Sequence, residues 1–474
     1  MNKKQYCPSS LRLHPVHVIR LALIIFSLFI VLGCTPSSDK TLAEAKRAYE
    51  QGDYNRALAL SDGLLKEIPD SFPAHRIKTL SYVAQGSIET AFNGLEIAEE
   101  RYPELGTPLL KEIAIGIIKL SLSHENLFVR SAAIKAVGEM GDVKLITLII
   151  PGLKDSQTFV RFFAVESIGL LGGPDALKLF MAAGNDPDGM VRVGAVKAID
   201  DMAEENNRKG QREPDTLNKL LATFTEDTDI TVQLFSLAAL AKWGDQDAFQ
   251  KMLKITRGLS ANERFAGASA LGRSKKSKAV PLLVDFIADP EESLRMYAAE
   301  AMGEIASGDI YLPLVKALSD PAKSVRAASA TSLGKLGDER AIPLLRNLLK
   351  DTDAIVRVSA AEGLHYLGQE SFSTFRDAMT EKDYAIRHFT IGALRRTGGD
   401  EAFRLLSMAM QDTAPRVRIA TIRALGEIGN IKALPFLRES LKDPDLAVRT
   451  YAAGNVGRVL NKASGTSLKR TKME

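Results

Sequence analysis

An arginine preceded by an apolar residue returns about every 31 residues along most of this chain, and no other feature constrains the fold as much. The column holds Arg130, Arg161, Arg192, Arg295, Arg326, Arg357, Arg387, Arg418 and Arg449, with Gln233 and Arg264 filling the two gaps. Eight of the ten intervals are 31 residues and one is 30; one is 41 because it carries a polar insertion at 204–214. A unit of this length is one supersecondary element that cannot bury its apolar face alone, so neighbours must stack. A domain count taken from the 474-residue length therefore does not apply.

The columns around the arginine specify helices. Three residues after it every side chain is small, from Ala133 and Ala164 to Thr421 and Ala452. Seven residues after it every side chain is aliphatic or Met, from Val137 to Val456. Offsets −1, +3, +4 and +7 make one helical stripe, the face to be buried. Six residues before the arginine an Asp recurs (155, 186, 227, 289, 320, 351, 412, 443), with His124, Gly258 and Glu381 as departures. We read this Asp as a helix N-cap, and the glycines at +8 or +11 as helix stops. Partner helices such as those beginning Ile342-Pro343 and Leu434-Pro435 place proline in the first turn, where a missing N–H costs nothing.

These units resemble HEAT repeats, in particular the short HEAT-like repeats named after phycobilisome lyases. The resemblance implies an all-α, α-α solenoid: a right-handed superhelix of about eleven 31-residue HEAT-like repeats, with the arginine-bearing helices on the concave side. A second period, 34 residues, precedes it. Gly52 recurs as Gly86, Ala57 as Ala91 and Pro69 as Pro103. The stretch from Ala45 to Pro69 resembles a tetratricopeptide repeat, and two such copies imply a helical cap on the array. The organisation expected is a signal at 1–33, a tether at 34–41, tetratricopeptide-like repeats at 42–104, the HEAT-like solenoid at 105–460 and a basic polar tail at 461–474.

Residues 21–33 form a run of thirteen without a charge, preceded by a polar, basic segment. A bilayer-spanning helix needs about 20 apolar residues, so the run suits a secretory signal; the alternative is an uncleaved short anchor. Val31-Leu32-Gly33-Cys34 resembles a bacterial lipobox, although Leu32 is bulkier than the usual residue there. The resemblance implies cleavage before Cys34 and its lipidation, which places the protein in the bacterial cell envelope. Thr35, where an Asp would imply retention at the inner membrane, points to the outer membrane facing the periplasm. The only other cysteine is Cys7, so no disulfide is expected. Lys3, Lys4, Arg12 and Arg20 are the only charges in 1–33. Without them 58 basic residues balance 58 acidic ones, so the net charge of +4 is no nucleic-acid footprint.

No catalytic constellation is apparent. Past residue 33 there are four histidines, His75, His124, His365 and His388. Some relatives are di-iron hydroxylases with several His-Glu pairs; here His124-Glu125 stands alone. His124 reads as a turn residue and His365 as a helix-end residue. Other relatives attach bilins to phycobiliproteins, and nothing in this sequence marks such a site. No cofactor, metal, nucleic acid or small-molecule substrate is expected. The arginine column reads as a structural ladder paired with the Asp column, polyanion binding being the alternative. Offset +2 carries Phe163, Phe235, Tyr297, Phe389 and Tyr451, and offset +9 is mixed in charge. This stripe is either a partner-binding groove or a set of rings buried by solenoid curvature. Trp243 is expected in the core. The function expected is a non-catalytic, lipid-anchored scaffold that binds an envelope protein. The alternatives are a lyase-like or metal-dependent enzyme, or an envelope-polymer tether.

Overall fold

A computed structural model describes residues 36–173, 175–208, 214–261 and 263–465. Cys34 and the tail residues Lys469, Arg470 and Lys472 lie outside them. The described residues form helices and no strand. The chain divides into two compact units, residues up to Ile113 and residues from Ala114 onward.

The first unit holds α1 (Pro36–Glu50), α2 (Tyr54–Glu67), α3 (Phe72–Ala84) and α4 (Ile88–Arg101). Gly52 and Gly86 adopt positive φ between successive helices, the left-handed conformation that lets the chain reverse. Ala45 and Ala57 are fully buried and pack with Ala48 and Ile77, so small side chains draw the first three helices together. Asp53 accepts from the Arg56 N–H at the start of α2, while Ser87, its counterpart before α4, makes no such side-chain bond. α5 (Pro103–Leu122) follows, with proline as its first residue.

In the second unit the arginine-bearing helices are α6 (Leu127–Met140), α8 (Thr158–Leu171), α10 (Gly189–Arg208), α12 (Ile230–Lys242), α14 (Arg264–Arg273), α16 (Glu292–Ile305), α18 (Lys323–Leu336), α20 (Ala354–Tyr366), α22 (Tyr384–Thr397), α24 (Pro415–Ile428) and α26 (Leu446–Ala463). Each packs on the next. Shorter helices lie between them, such as α17 (Tyr311–Ala317), α19 (Ile342–Leu348) and α25 (Leu434–Glu439). The side chains at +3 and +7 are buried throughout. Part of the polar insertion is helical and lengthens α10 to 20 residues.

Two sequence expectations need correction. The Asp column is not the N-cap. Caps sit two residues later, as at Asp229, Asp353, Asp383 and Asp445, whose side chains accept from the first helical N–H groups. The earlier Asp forms a turn before the helix: Asp351 accepts from the Asp353 N–H at 2.9 Å, and Asp155, Asp320, Asp412 and Asp443 accept likewise. The glycines at +11 do stop helices, with φ of 70° at Gly141 and 78° at Gly337. Those at +8 lie inside the last turn and serve close approach instead. A Cβ on Gly334 would sit 2.3 Å from the Gly363 Cα of the next helix, and one on Gly303 would sit 2.7 Å from Ser332 Cβ.

The second unit closes on itself. α26 packs along α6, so the first and last arginine-bearing helices are neighbours. Gly454 abuts the Ala136 backbone, and Gly457 abuts the Met140 side chain. Ser121 and Thr450 share a buried hydroxyl–hydroxyl bond of 2.8 Å, and Asn461 donates to the Met140 carbonyl at 2.9 Å. The last arginine-bearing helix thus covers the first. The seam also departs from the regular step. Elsewhere a +8 glycine meets the +6 residue of the next helix, as Gly138 meets Ser167, whereas at the seam the +5 glycine Gly454 takes that place.

Candidate functional site

The arginine ladder is engaged along its length. Arg161 donates through Nε and Nη2 to Asp186 of the following unit, at 2.7 and 2.9 Å, and through Nη1 to the carbonyls of Asp155 and Ser156. Arg130, Arg192, Arg295, Arg326, Arg387 and Arg418 repeat this arrangement on Asp155, Asp227, Asp320, Asp351, Asp412 and Asp443. Arg357 meets Glu381 at a longer 3.4 Å. Arg449 donates to the carbonyls of Asp443 and Pro444, and its Nε finds no partner among the described residues. Burial pushes the Asp186 carboxyl up. The Arg161 hydrogen bond, the Asp188 N–H and the charges of Arg161 and Arg192 outweigh it and hold the group below its ordinary value. Asp155, Asp227, Asp320 and Asp351 follow the same balance. In Asp412 the Arg387 bond is the largest influence.

Side chains from helices two apart meet on the other face of the array, which makes that face concave. Arg273 of α14 reaches Asp200 of α10 at 2.7 Å, and Arg423 of α24 reaches Glu139 of α6 at 2.6 Å. The five aromatic residues at +2 lie here, and none is bare. Phe235 is buried and the other four are half-buried. Lys135 Nζ stands 4.3 Å from the centre of the Phe163 ring, Lys197 Nζ 4.7 Å from Phe235, and the Arg423 guanidinium 5.6 Å from Tyr451. Each is a +5 cation from one unit laid over a +2 ring of the next, a cation–π stack. Tyr297 packs on Phe265, with ring centres 5.8 Å apart. Burial lowers the Lys135 and Lys197 ammonium groups, helped by the charges of Arg423 and Arg273 respectively. Burial, reinforced by Glu139, pushes the Tyr451 hydroxyl up to about 12.

Three buried polar clusters on this face were not foreseen. Asp200 is fully buried and takes Lys242 at 3.2 Å, Arg273 at 2.7 Å and the Trp243 indole N–H at 3.1 Å. Trp243 is therefore half-buried at a polar junction rather than in the apolar core. Glu362, also fully buried, pairs with Arg396 and accepts from the Tyr366 hydroxyl. Glu139 takes both Arg423 and Asn455. The sequence signals were available: Asp200 breaks the glycine column at +8, and Glu362 and Asn455 interrupt the helix faces at +5 and +6.

A cavity of about 490 Å³ lies at the seam, lined by residues of α6, α8, α22, α24 and α26, His388, Arg395, Arg423 and Glu427 among them. Arg395 donates to Glu427 at 2.8 Å. His388 lies below its ordinary pKa, through burial first and then the charges of Arg416 and Arg423. His124 accepts the Asn126 N–H within a turn, His365 contacts the Thr397 carbonyl, and His75 the Pro69 carbonyl. Among the described residues no three His, Cys, Asp or Glu side chains gather as a metal-ligand set. No described helix is long and apolar enough to cross a membrane.

Paired helices stacked through small side chains and tied by an Arg–Asp ladder define an α-solenoid of repeats. The family model for HEAT repeats matches residues 116–204, 217–295, 286–365 and 372–457, more than half of the chain. The chain belongs to the HEAT-repeat family, a class of solenoid suited to binding other proteins through its groove. No curated protein matches. Among solved structures, the chain is similar to the CpcE–CpcF complex of phycocyanin lyase from Nostoc, at 19% identity and a TM-score of 0.36, over 50% of this chain and 93% of that one. It is also similar to human deoxyhypusine hydroxylase, at 19% identity and a TM-score of 0.27, over 67% and 97%. A third is YibA of Escherichia coli, at 23% identity and a TM-score of 0.29, over 54% and 96%. These likenesses concern the fold alone.

Proposed function

We propose that this protein is a non-catalytic scaffold that binds a partner protein on the concave face of its HEAT array. In this reading it is tethered by lipid at Cys34 to the bacterial outer membrane, facing the periplasm. The tetratricopeptide-like helices cap the array, and the array keeps the right-handed sense of its family. The observation that carries the reading is the aromatic stripe under cations: Phe163 beneath Lys135, Phe235 beneath Lys197 and Tyr451 beneath Arg423. Such rings carry large contact area at little entropic cost, and the cations over them offer polar contacts to a partner. A tether to an anionic envelope polymer through the ladder is disfavoured, because its guanidinium groups already hold carboxylates and carbonyls.

A photo-crosslinking residue placed in intact cells at Tyr297, on the concave side, and separately at Leu312, an exposed position of α17, tests the reading. A discrete protein adduct from position 297 and none from position 312 supports it. Equal adducts from both positions, or none from either, sink it. Incorporation of labelled palmitate, lost in Cys34→Ser, checks the anchor separately.

A second reading, a chemical activity on the same fold, draws on one observation. The seam cavity gathers His388 with Glu139 and Glu427, side chains able to exchange protons. Stoichiometric metal in the purified protein would favour it over the scaffold.

A further inference from the structure

One edge of the second unit leaves large apolar side chains in water. At offset −2, in the first turn of the arginine-bearing helices, the first three units carry Phe128, Phe159 and Met190. The later units carry Thr, Asn, Ser, Ala or Arg there, Ile355 excepted. Phe128 is 74% exposed and Phe159 57%, although rings of this size are usually covered. The Arg130–Asp155 rung draws the two first turns together, since Phe128 lies two residues before that arginine and Phe159 four after that aspartate. Leu120, near the end of α5, and Ile150, which opens the 3-10 turn Ile150–Lys154, are exposed as well. Lys119 and Pro151 border one hollow of about 320 Å³ with Arg130 and Asp155, which sets the end of α5 and that turn beside the same rung.

Two lysines flank these side chains. Lys119 and Lys154 are exposed and make no ion pair or side-chain hydrogen bond among the described residues. Of the nearby acids, Asp155 is held by Arg130, Asp188 accepts from the Thr158 hydroxyl and the Met190 N–H, and Glu125 has no partner among the described residues. Lysine stems lie along apolar surface while their ammonium groups reach polar ground. Protruding rings beside such lysines suit the boundary between lipid headgroups and acyl chains. The chain itself brings a bilayer near. α1 begins at Pro36, so Thr35 alone separates Cys34 from a helix. A bilayer held by lipid at Cys34 stays at high effective concentration beside the folded chain, where even weak contacts are occupied.

We infer that this edge rests on the surface of the bilayer that carries the anchor, with Phe128 and Phe159 inserted at the headgroup boundary and Lys119 and Lys154 at the lipid phosphates. The choice of a bilayer as the occupant rests on the anchored reading proposed above. Contact here fixes the orientation of the second unit on the membrane, and with it the direction in which the concave face opens.

The full chain, reconstituted into vesicles of phosphatidylethanolamine and phosphatidylglycerol, tests it. A dansyl-bearing residue replaces either Ser156, an exposed position beside these rings, or Leu312 on α17, and a nitroxide-bearing lipid is the quencher. Emission from position 156 should fall about twofold or more, as for a group at the headgroup boundary, and that from position 312 should change little. Phe128→Ser with Phe159→Ser should abolish the quenching at position 156. Both rings are exposed, so the melting curve of this variant should match the parent. Lys119→Glu with Lys154→Glu should weaken the quenching, more so as the phosphatidylglycerol fraction rises. Mass spectrometry of the same sample reports the lipid on Cys34, so a failure of the anchored reading is seen separately, and the quenching comparison holds however the chain is attached. Equal quenching at the two positions, none at either, or quenching unchanged in the double serine variant overturns the proposal. So does a dimer in detergent, seen by light scattering and lost in the double serine variant, which would assign the edge to a second copy.

Discussion

At the residue scale the Arg–Asp rung is the repeated unit of stability and geometry. The departures in the two columns make sense together. The Asp of each unit serves the arginine of the unit before it, so Gly258 replaces Asp where the preceding position is Gln233 rather than Arg. His124 stands where no arginine precedes. Arg326 and Asp351 are both largely buried, at 16% and 12% side-chain exposure. Removing one partner strands a carboxylate and two carbonyls. We expect Arg326→Met to cost about 3 kcal/mol in chemical denaturation; a loss below 1 kcal/mol would mean the rung behaves as an exposed pair. The glycines make an internal contrast. Gly334→Ala drives a methyl into the Gly363 backbone and should destabilise by about 1–3 kcal/mol. Gly392→Ala meets open space within α22 and should stabilise by about 0.5–1 kcal/mol. Paired melting curves check the opposite signs.

At the element scale the junction before several arginine-bearing helices, as at Asp227–Asp229, Asp351–Asp353 and Asp443–Asp445, carries two functions on neighbouring residues. The first Asp turns the chain and holds the previous arginine; the residue two positions later caps the helix. This gives the array a defined response to acid. Asp155, Asp186, Asp227, Asp320, Asp351 and Asp412 all sit below their ordinary values in the folded chain. The unfolded chain therefore binds more protons than the folded one in the window below the usual aspartate value of about 3.9. Their stabilisation is complete above that value and is lost as pH falls through the folded values. Glu300 works the other way, since desolvation by its neighbours raises it, but it is one group against six. Melting temperature should therefore fall steeply below about pH 4. A flat profile down to pH 3 would show that the rungs do not carry this linkage.

At the scale of the whole molecule the closure of the second unit is the feature with most consequence, because it sets the first and last arginine-bearing helices side by side. Closure can be measured directly. The chain's two cysteines are Cys7 and Cys34, so the second unit has none. Ser121 and Thr450 lie 329 residues apart in sequence with their hydroxyl oxygens 2.8 Å apart. Ser121→Cys with Thr450→Cys should form an intramolecular disulfide on mild oxidation, visible as faster migration on a non-reducing gel. If the monomer stays reduced under conditions that oxidise free thiols, the array is open in solution.

Much of this was legible in one sequence, because a repeat states the same rule many times. The period, the small residue at +3 and the apolar residue at +7 determined paired helices stacked through one stripe, since no other structure buries that pattern. The Arg and Asp columns were visible too, and the coincidence of Gln233 with Gly258 already held the pairing direction. What one unit's sequence cannot encode is the sum of many small rotations between units. That sum decides whether α26 returns to α6, whether Arg423 can reach Glu139, and whether the +2 rings are bare or lie under the cations of the preceding helix. Local pattern determined the helices and their pairing; closure, and the sites that depend on it, came only from the accumulated tertiary geometry, because a few degrees per unit, repeated along the chain, separate a ring from an open coil.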